Sequence, residues 1–187
     1  GEKEGESFDS IRPIEIRHDG KGLVYTAQRD GQWFLVQGEK KGPALEHVGG
    51  PVYGADGATV SYMGEQGGSW SVILGERKGA YFDEVTSPRF LPGRKEVAYC
   101  AVKGEKGYVI VGEQGSEAYD EVGGLAVGAD GRVAYWARQN KAYFIVSSGR
   151  KGPEFDAVEP PIFAADGKTV FYGARKGRAL WWKRSPE

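Results

Sequence analysis

Apolar residues along the chain come in short runs separated by stretches rich in Gly, Asp and Lys. Val97-Ala98-Tyr99-Cys100-Ala101, Trp33-Phe34-Leu35-Val36 and Tyr143-Phe144-Ile145-Val146 show the pattern, and their β-branched and aromatic content predicts strands. These runs are apolar at both parities, as in a sheet covered on both faces. No segment carries helical periodicity, so the chain reads as all-β.

The runs repeat. Ile11, Val48, Val85, Val122 and Val158 are spaced by 37, 37, 37 and 36 residues, and Tyr25, Tyr62, Tyr99, Tyr135 and Tyr172 by 37, 37, 36 and 37. Two columns in step define five copies, which nearly fill the 187 residues. Each copy predicts four strands. The first lies around Leu45-Glu46-His47-Val48, the second is Pro51-Val52-Tyr53, the third carries the tyrosine, and the fourth is the aromatic-apolar run. Asp19-Gly20, Asp56-Gly57, Asp130-Gly131 and Asp166-Gly167 separate strands two and three and predict type I′ turns. The third copy has Gly93-Arg94 there, which predicts a different turn.

Each column tyrosine shares a strand face with a small residue two positions on: Ala27, Gly64, Ala101, Ala137 or Ala174. A neighbouring sheet can therefore approach closely. Four-stranded units that must be covered on both faces are satisfied by radial stacking, so the expected fold is a five-bladed β-propeller with four antiparallel strands per blade. The repeats fall near 8–44, 45–81, 82–118, 119–154 and 155–187 of a single domain, 1–187, with 1–11 completing the last blade. The opening Gly1-Glu2-Lys3-Glu4-Gly5 is in register with Gly38-Glu39-Lys40-Lys41-Gly42, and Leu180-Trp181-Trp182-Lys183 matches a fourth strand. The amino-terminal strand, Ser7 to Ile11, is thus expected to pair beside Leu180–Lys183 and close the ring.

The copies resemble the WD-repeat-like propeller repeat of the TolB type. Ala165-Asp166-Gly167-Lys168-Thr169-Val170-Phe171-Tyr172 carries the resemblance best, with His18-Asp19-Gly20-Lys21-Gly22-Leu23-Val24-Tyr25 close to it. The Ser-Pro common before Asp-Gly in that family is replaced by Arg17-His18, Ala55, Ala129 and Ala165, and five copies are fewer than its usual six or seven. The resemblance implies a binding scaffold, often exported in bacteria, without a shared catalytic constellation.

Composition agrees with many short strands and tight turns: 30 Gly and 23 Phe, Trp and Tyr in 187 residues. A net charge of −1 gives no global field toward nucleic acid or anionic membrane, and no nucleic-acid motif is present. The longest apolar run, Val97 to Val102, is too short for membrane insertion, and the first residues carry no signal-peptide pattern. Cys100 is the sole cysteine, which excludes an internal disulfide and a cysteine-based metal cluster.

The acidic column Asp9, Glu46, Asp83, Asp120 and Asp156 reads as turn and backbone hydrogen bonding, because equivalents on separate blades lie too far apart for a catalytic pair at roughly 5–9.5 Å. His18 and His47 are non-equivalent and have no clustered partner, so no catalytic, metal or cofactor site is expected. On the second-strand positions Glu15, Arg17 and Arg89 stand out among small or apolar residues, and Glu159 joins Glu15 as the acids a sugar-cleaving propeller would need. Trp33, Trp70, Trp181 and Trp182 read as core. The loops joining strands three and four place Lys103, Lys106, Arg138, Lys141, Arg175, Lys176 and Arg178 on one rim against Glu105, while the first two copies offer Arg29 beside Asp30, and Glu65. The expected function is a non-enzymatic protein-interaction scaffold taking a protein or acidic peptide. The alternative is a carbohydrate-binding lectin or glycosidase, with a glycan as partner.

Overall fold

The computed structural model describes residues 6–12, 14–17, 20–86 and 88–185, and every regular element among them is a β-strand. His18, Asp19 and the opening pentapeptide lie outside the described residues. The chain forms two compact units, Gly1–Pro88 and Arg89–Glu187.

In the first unit one antiparallel sheet runs Ser10–Ile11, Leu23–Arg29, Gln32–Gln37, Lys40–Lys41, with Glu15–Ile16 also paired to Leu23–Arg29. A second sheet runs His47–Val48, Val60–Gln66, Ser69–Leu74, Arg77–Lys78, with Val52–Tyr53 likewise on Val60–Gln66. The second unit has the strands Arg89–Phe90, Val97–Lys103, Lys106–Val111 and Gln114–Gly115 in one sheet, and Glu121–Val127, Val133–Gln139, Ala142–Ser147 and Arg150–Lys151 in the next. In its last sheet Val170–Lys176 carries Ala157–Val158 and Ile162–Phe163 on one edge and Ala179–Ser185 on the other.

Four-stranded sheets are found, but the strands are partitioned differently from the expectation. The predicted first and second strands lie on the same edge of the third and are two halves of one strand. Pro51 interrupts it in the second repeat and Pro160-Pro161 in the fifth, because proline has no N–H for the ladder. The fourth repeat has Leu125 in place of that proline, and Glu121–Val127 runs through as one strand with a bulge after Gly123. The remaining strand is a two-residue, mostly charged piece, Lys40–Lys41, Arg77–Lys78, Gln114–Gly115 or Arg150–Lys151, which the sequence reading absorbed into a turn. Short charged edges of this kind resist pairing with another chain.

The Asp-Gly turns at 56–57, 130–131 and 166–167 are not type I′. At Asp56-Gly57 only the glycine has positive φ (64°). The Asp56 carboxylate instead accepts the N–H groups of Ala58 and Thr59 at 3.0 and 2.9 Å and the Thr59 hydroxyl at 2.6 Å. Asp166 repeats this arrangement with Lys168 and Thr169, and these donors hold its carboxyl down at about 2. The third copy does differ: Arg94 N–H donates to Leu91 O, placing Pro92 and Gly93 (φ 69°) at the central positions of a type II pattern.

The tyrosine column lies in the cores between sheets. Tyr62 packs with Val24, Leu35, Leu45, Val48, Val60 and Ile73, and burial pushes its hydroxyl up to about 12. Tyr135 belongs to the cluster of Leu91, Cys100, Val109, Tyr119, Leu125 and Phe144, and Tyr172 packs with Ile145, Phe155 and Val170. The small partner is needed. A Cβ on Gly64 would lie 2.7 Å from Leu45 Cδ1. Tyr25 is only half-buried, edge-on to Phe8 with ring centroids 6.4 Å apart.

One expectation fails in the last strand. Trp181 and Trp182 are exposed rather than core, Trp182 at 89%. Its ladder equivalents, Leu35, Val72, Val109 and Ile145, are all buried. At the other end of the chain, Ser10 and Ile11 pair with Gln28 and Ala27 within the first sheet. The internal repeats show how this strand meets its neighbours. There only one residue, Leu45, bridges back to the preceding sheet at Trp33, before His47–Val48 joins its own sheet.

Candidate functional site: a hairpin rim of cations

The longest hairpins of each repeat turn at 30–31, 67–68, 104–105, 140–141 and 177–178. Positive φ at both central residues marks type I′ turns at Asp30-Gly31, Gly67-Gly68 and Asn140-Lys141. Gly104 and Gly177 alone are positive at theirs, as in type II′. The acidic column secures these tips. Asp9 accepts the N–H of Asp30 at 2.8 Å, Glu46 that of Gly67 at 3.2 Å, Asp120 that of Asn140 at 2.8 Å and Asp156 that of Gly177 at 2.6 Å. This is the backbone role read for the column.

In the second unit the tips carry all seven predicted cations. The column's acids and a neighbour also neutralise part of this charge, which loop composition alone did not reveal. Lys106 Nζ lies 2.7 Å from Asp120, Arg138 Nε 3.0 Å from Glu121, and Arg175 3.9 Å from Asp156. The Asp120 carboxylate raises the Lys106 pKa, and Lys106 in turn lowers that of Asp120. Lys103, Lys141, Lys176 and Arg178 make no ion pair among the described residues, and all four are exposed. In the first unit Arg29 pairs with Glu6 and Asp30, so its tip offers no comparable surplus.

Lys141 has φ 71° where the first two repeats have Gly31 and Gly68. A left-handed conformation costs a residue with a Cβ about 1–2 kcal/mol. Strain of this kind is retained where the surrounding structure holds it, often at sites of function.

The other candidates are dispersed. Glu15 and Arg89 are exposed on their two-residue strands, facing Val24 and Ala98. Arg17 lies along the turn glycines, its Cδ 3.3 Å from where a Cβ of Gly57 would be and 3.7 Å from that of Gly22. Glu159 packs against Gly173. His47 is exposed, stacked on Trp70 with its Nε2 3.6 Å from Glu65. Trp33 is half-buried under the Arg12 guanidinium, 4.0 Å from the ring centre. Among the described residues no group of three His, Cys, Asp or Glu is placed to hold a metal ion, and no helix is long and apolar enough to cross a membrane.

No protein-family model matches the chain, and no curated protein matches it. Among solved structures it is similar to TolB from Acinetobacter baumannii, with 14% identity over 94% of this chain and 51% of that chain at a TM-score of 0.49. It is also similar to the β-propeller domain of the trilobed protease from Pyrococcus furiosus (11%, 95% and 69%, 0.45). A third similarity is to the dihydro-haem d1 dehydrogenase NirN in complex with DHE (11%, 94% and 46%, 0.51). The chain spans about half the length of the TolB and NirN chains. The NirN likeness, with the chain's own succession of four-stranded antiparallel sheets at a 37-residue period, gives the fold class: a β-propeller.

Proposed function

We propose that the five repeats form one domain, a five-bladed propeller, and that it is a non-enzymatic interaction module whose partner is an acidic protein segment docking on the hairpin tips at 103–106, 139–142 and 176–179. The observation that carries this reading is the strained Lys141, which like Lys103, Lys176 and Arg178 on the equivalent tips is an exposed cation without an ion pair among the described residues. Carboxylates brought to such a surface gain charge-assisted contacts that salt weakens. Fluorescence anisotropy with a labelled oligoglutamate peptide tests it. The triple variant Lys103→Glu, Lys141→Glu, Lys176→Glu is expected to lose binding while keeping its melting temperature, and unchanged binding would place the docking surface elsewhere.

Ring closure belongs to the same reading. Trp182 occupies a column buried in every other repeat, and Phe8 and Tyr25 are the residues whose equivalents supply the cover in the internal repeats. We infer a bridge at Phe8, in the manner of Leu45 to Trp33, rather than along the whole of Ser7–Ile11. Hydrogen exchange should then show the Leu180 amide, the equivalent of Trp33 and Tyr143, protected in the full chain and released by Phe8→Ala. Rapid exchange in the unmodified chain would refute closure.

The carbohydrate reading has one observation in its favour, the exposed Trp181 and Trp182 beside a cavity of about 310 Å3 that Glu159 and Arg175 also line. Exposed indoles are surfaces on which sugar rings stack. Glycan-array binding abolished by Trp182→Ala would establish it against the scaffold.

A further inference from the structure

At the opposite end of the same strands, the second unit holds a cavity of about 630 Å3 between the hairpin turn at 147–150 and the last sheet. Arg132, Arg150, Lys151, Lys168 and Arg184 line it, and among the described residues no carboxylate does. This is a concentration of positive charge on a chain whose net charge is −1. The cations come from four separate segments: the two Asp-Gly turns, the short edge strand and the last strand.

The repeat shows that this charge is particular to the site. The turn that bounds it carries Gly149 where the first three repeats have Glu39, Glu76 and Glu113, so an acid recurring elsewhere is missing here. Ser148 takes φ 50° in that turn, whereas the earlier repeats begin theirs with Gly38, Gly75 and Gly112. It therefore places a hydroxyl at the cavity wall in a conformation a glycine would adopt without strain. Arg184 stands in the ladder position held by Gln37, Leu74, Val111 and Ser147 in the other repeats. In the first repeat Gln37 donates to Ala58 O at 2.8 Å, spanning the equivalent gap.

Part of the charge is compensated. Arg132 Nε lies 3.0 Å from Asp130 and Lys151 Nζ 3.1 Å from Glu117. Asp166 stays ionised beside Arg184, its oxygens already taken by Thr169 and Lys168 backbone and hydroxyl donors. Arg150 and Lys168 have no side-chain ion pair among the described residues.

We propose that this cavity is a binding site for a small oligophosphate anion. Guanidinium groups arriving from several directions, with a serine hydroxyl among them, suit a tetrahedral group whose oxygens point several ways, and the volume is that of an ordinary small-ligand site. The site is separate from the hairpin tips, so it stands or falls independently of the docking reading.

Titration calorimetry of the full chain with inorganic pyrophosphate at low ionic strength tests it. Binding is expected to weaken at least about tenfold in Arg150→Ser and again in Arg184→Ser, each replacing one charge-assisted contact. Lys141→Glu, on the distant tip, should leave the affinity unchanged, and thermal melting of each variant checks that the fold is intact. The proposal is overturned if pyrophosphate does not bind, if Lys141→Glu weakens it as much as Arg150→Ser, or if citrate binds as tightly.

Discussion

Tyr135→Ala is expected to cost on the order of 3–5 kcal/mol of unfolding free energy, the loss typical of a large aromatic removed from a core. The ring is buried against Tyr119, with centroids 6.3 Å apart, inside a cluster that joins two successive sheets. Removing it leaves a cavity that rigid strands on both sides cannot close. Tyr25→Ala is the internal control, because the same column position is half-buried there and one of its neighbours is the partly exposed Phe8. Urea unfolding followed by tryptophan fluorescence measures both. Should Tyr135→Ala cost no more than Tyr25→Ala, the column is not what holds neighbouring sheets together.

The second large effect is expected at Gly128. Its φ is ordinary, so the requirement is for space: a Cβ would stand 2.6 Å from the carbonyl oxygen of Gly167 and 3.0 Å from Phe163 Cδ1. The first contact is with backbone, which cannot rotate away. Gly128→Ala should therefore fall at the upper end of the roughly 1–3 kcal/mol seen for overpacking, or beyond it. Gly50→Ala, where nothing lies within 4 Å, should be nearly neutral in the same denaturation series. Equal stability of the two variants would mean that these Asp-Gly turns do not pack as closely as the structure has them.

The strands were legible because each repeat presents its apolar residues five times, and a recurring column averages away local exceptions. The bland role of the acidic column was legible too, since one acid per repeat cannot gather at a single site. Turn chemistry was read less well. Asp-Gly signals type I′ turns in general, but here the Asp56 and Asp166 side chains bind the following backbone and keep the aspartate out of the left-handed region. The true type I′ turns lie at the opposite ends of the strands.

Amino-acid order by itself determined the all-β class, the 37-residue period and the tyrosine column that fills the space between sheets. All three depend on short-range alternation or on recurrence, which are properties of the chain read as a line. Tertiary structure alone decided which charges meet. Asp120 reaches Lys106, Glu121 reaches Arg138 and Asp156 reaches Arg175 across pairings separated by 14 to 19 positions. The cavity formed with Arg150 and Arg184 draws on segments farther apart still. Charge interactions depend on distance through space, and strand pairing sets that distance.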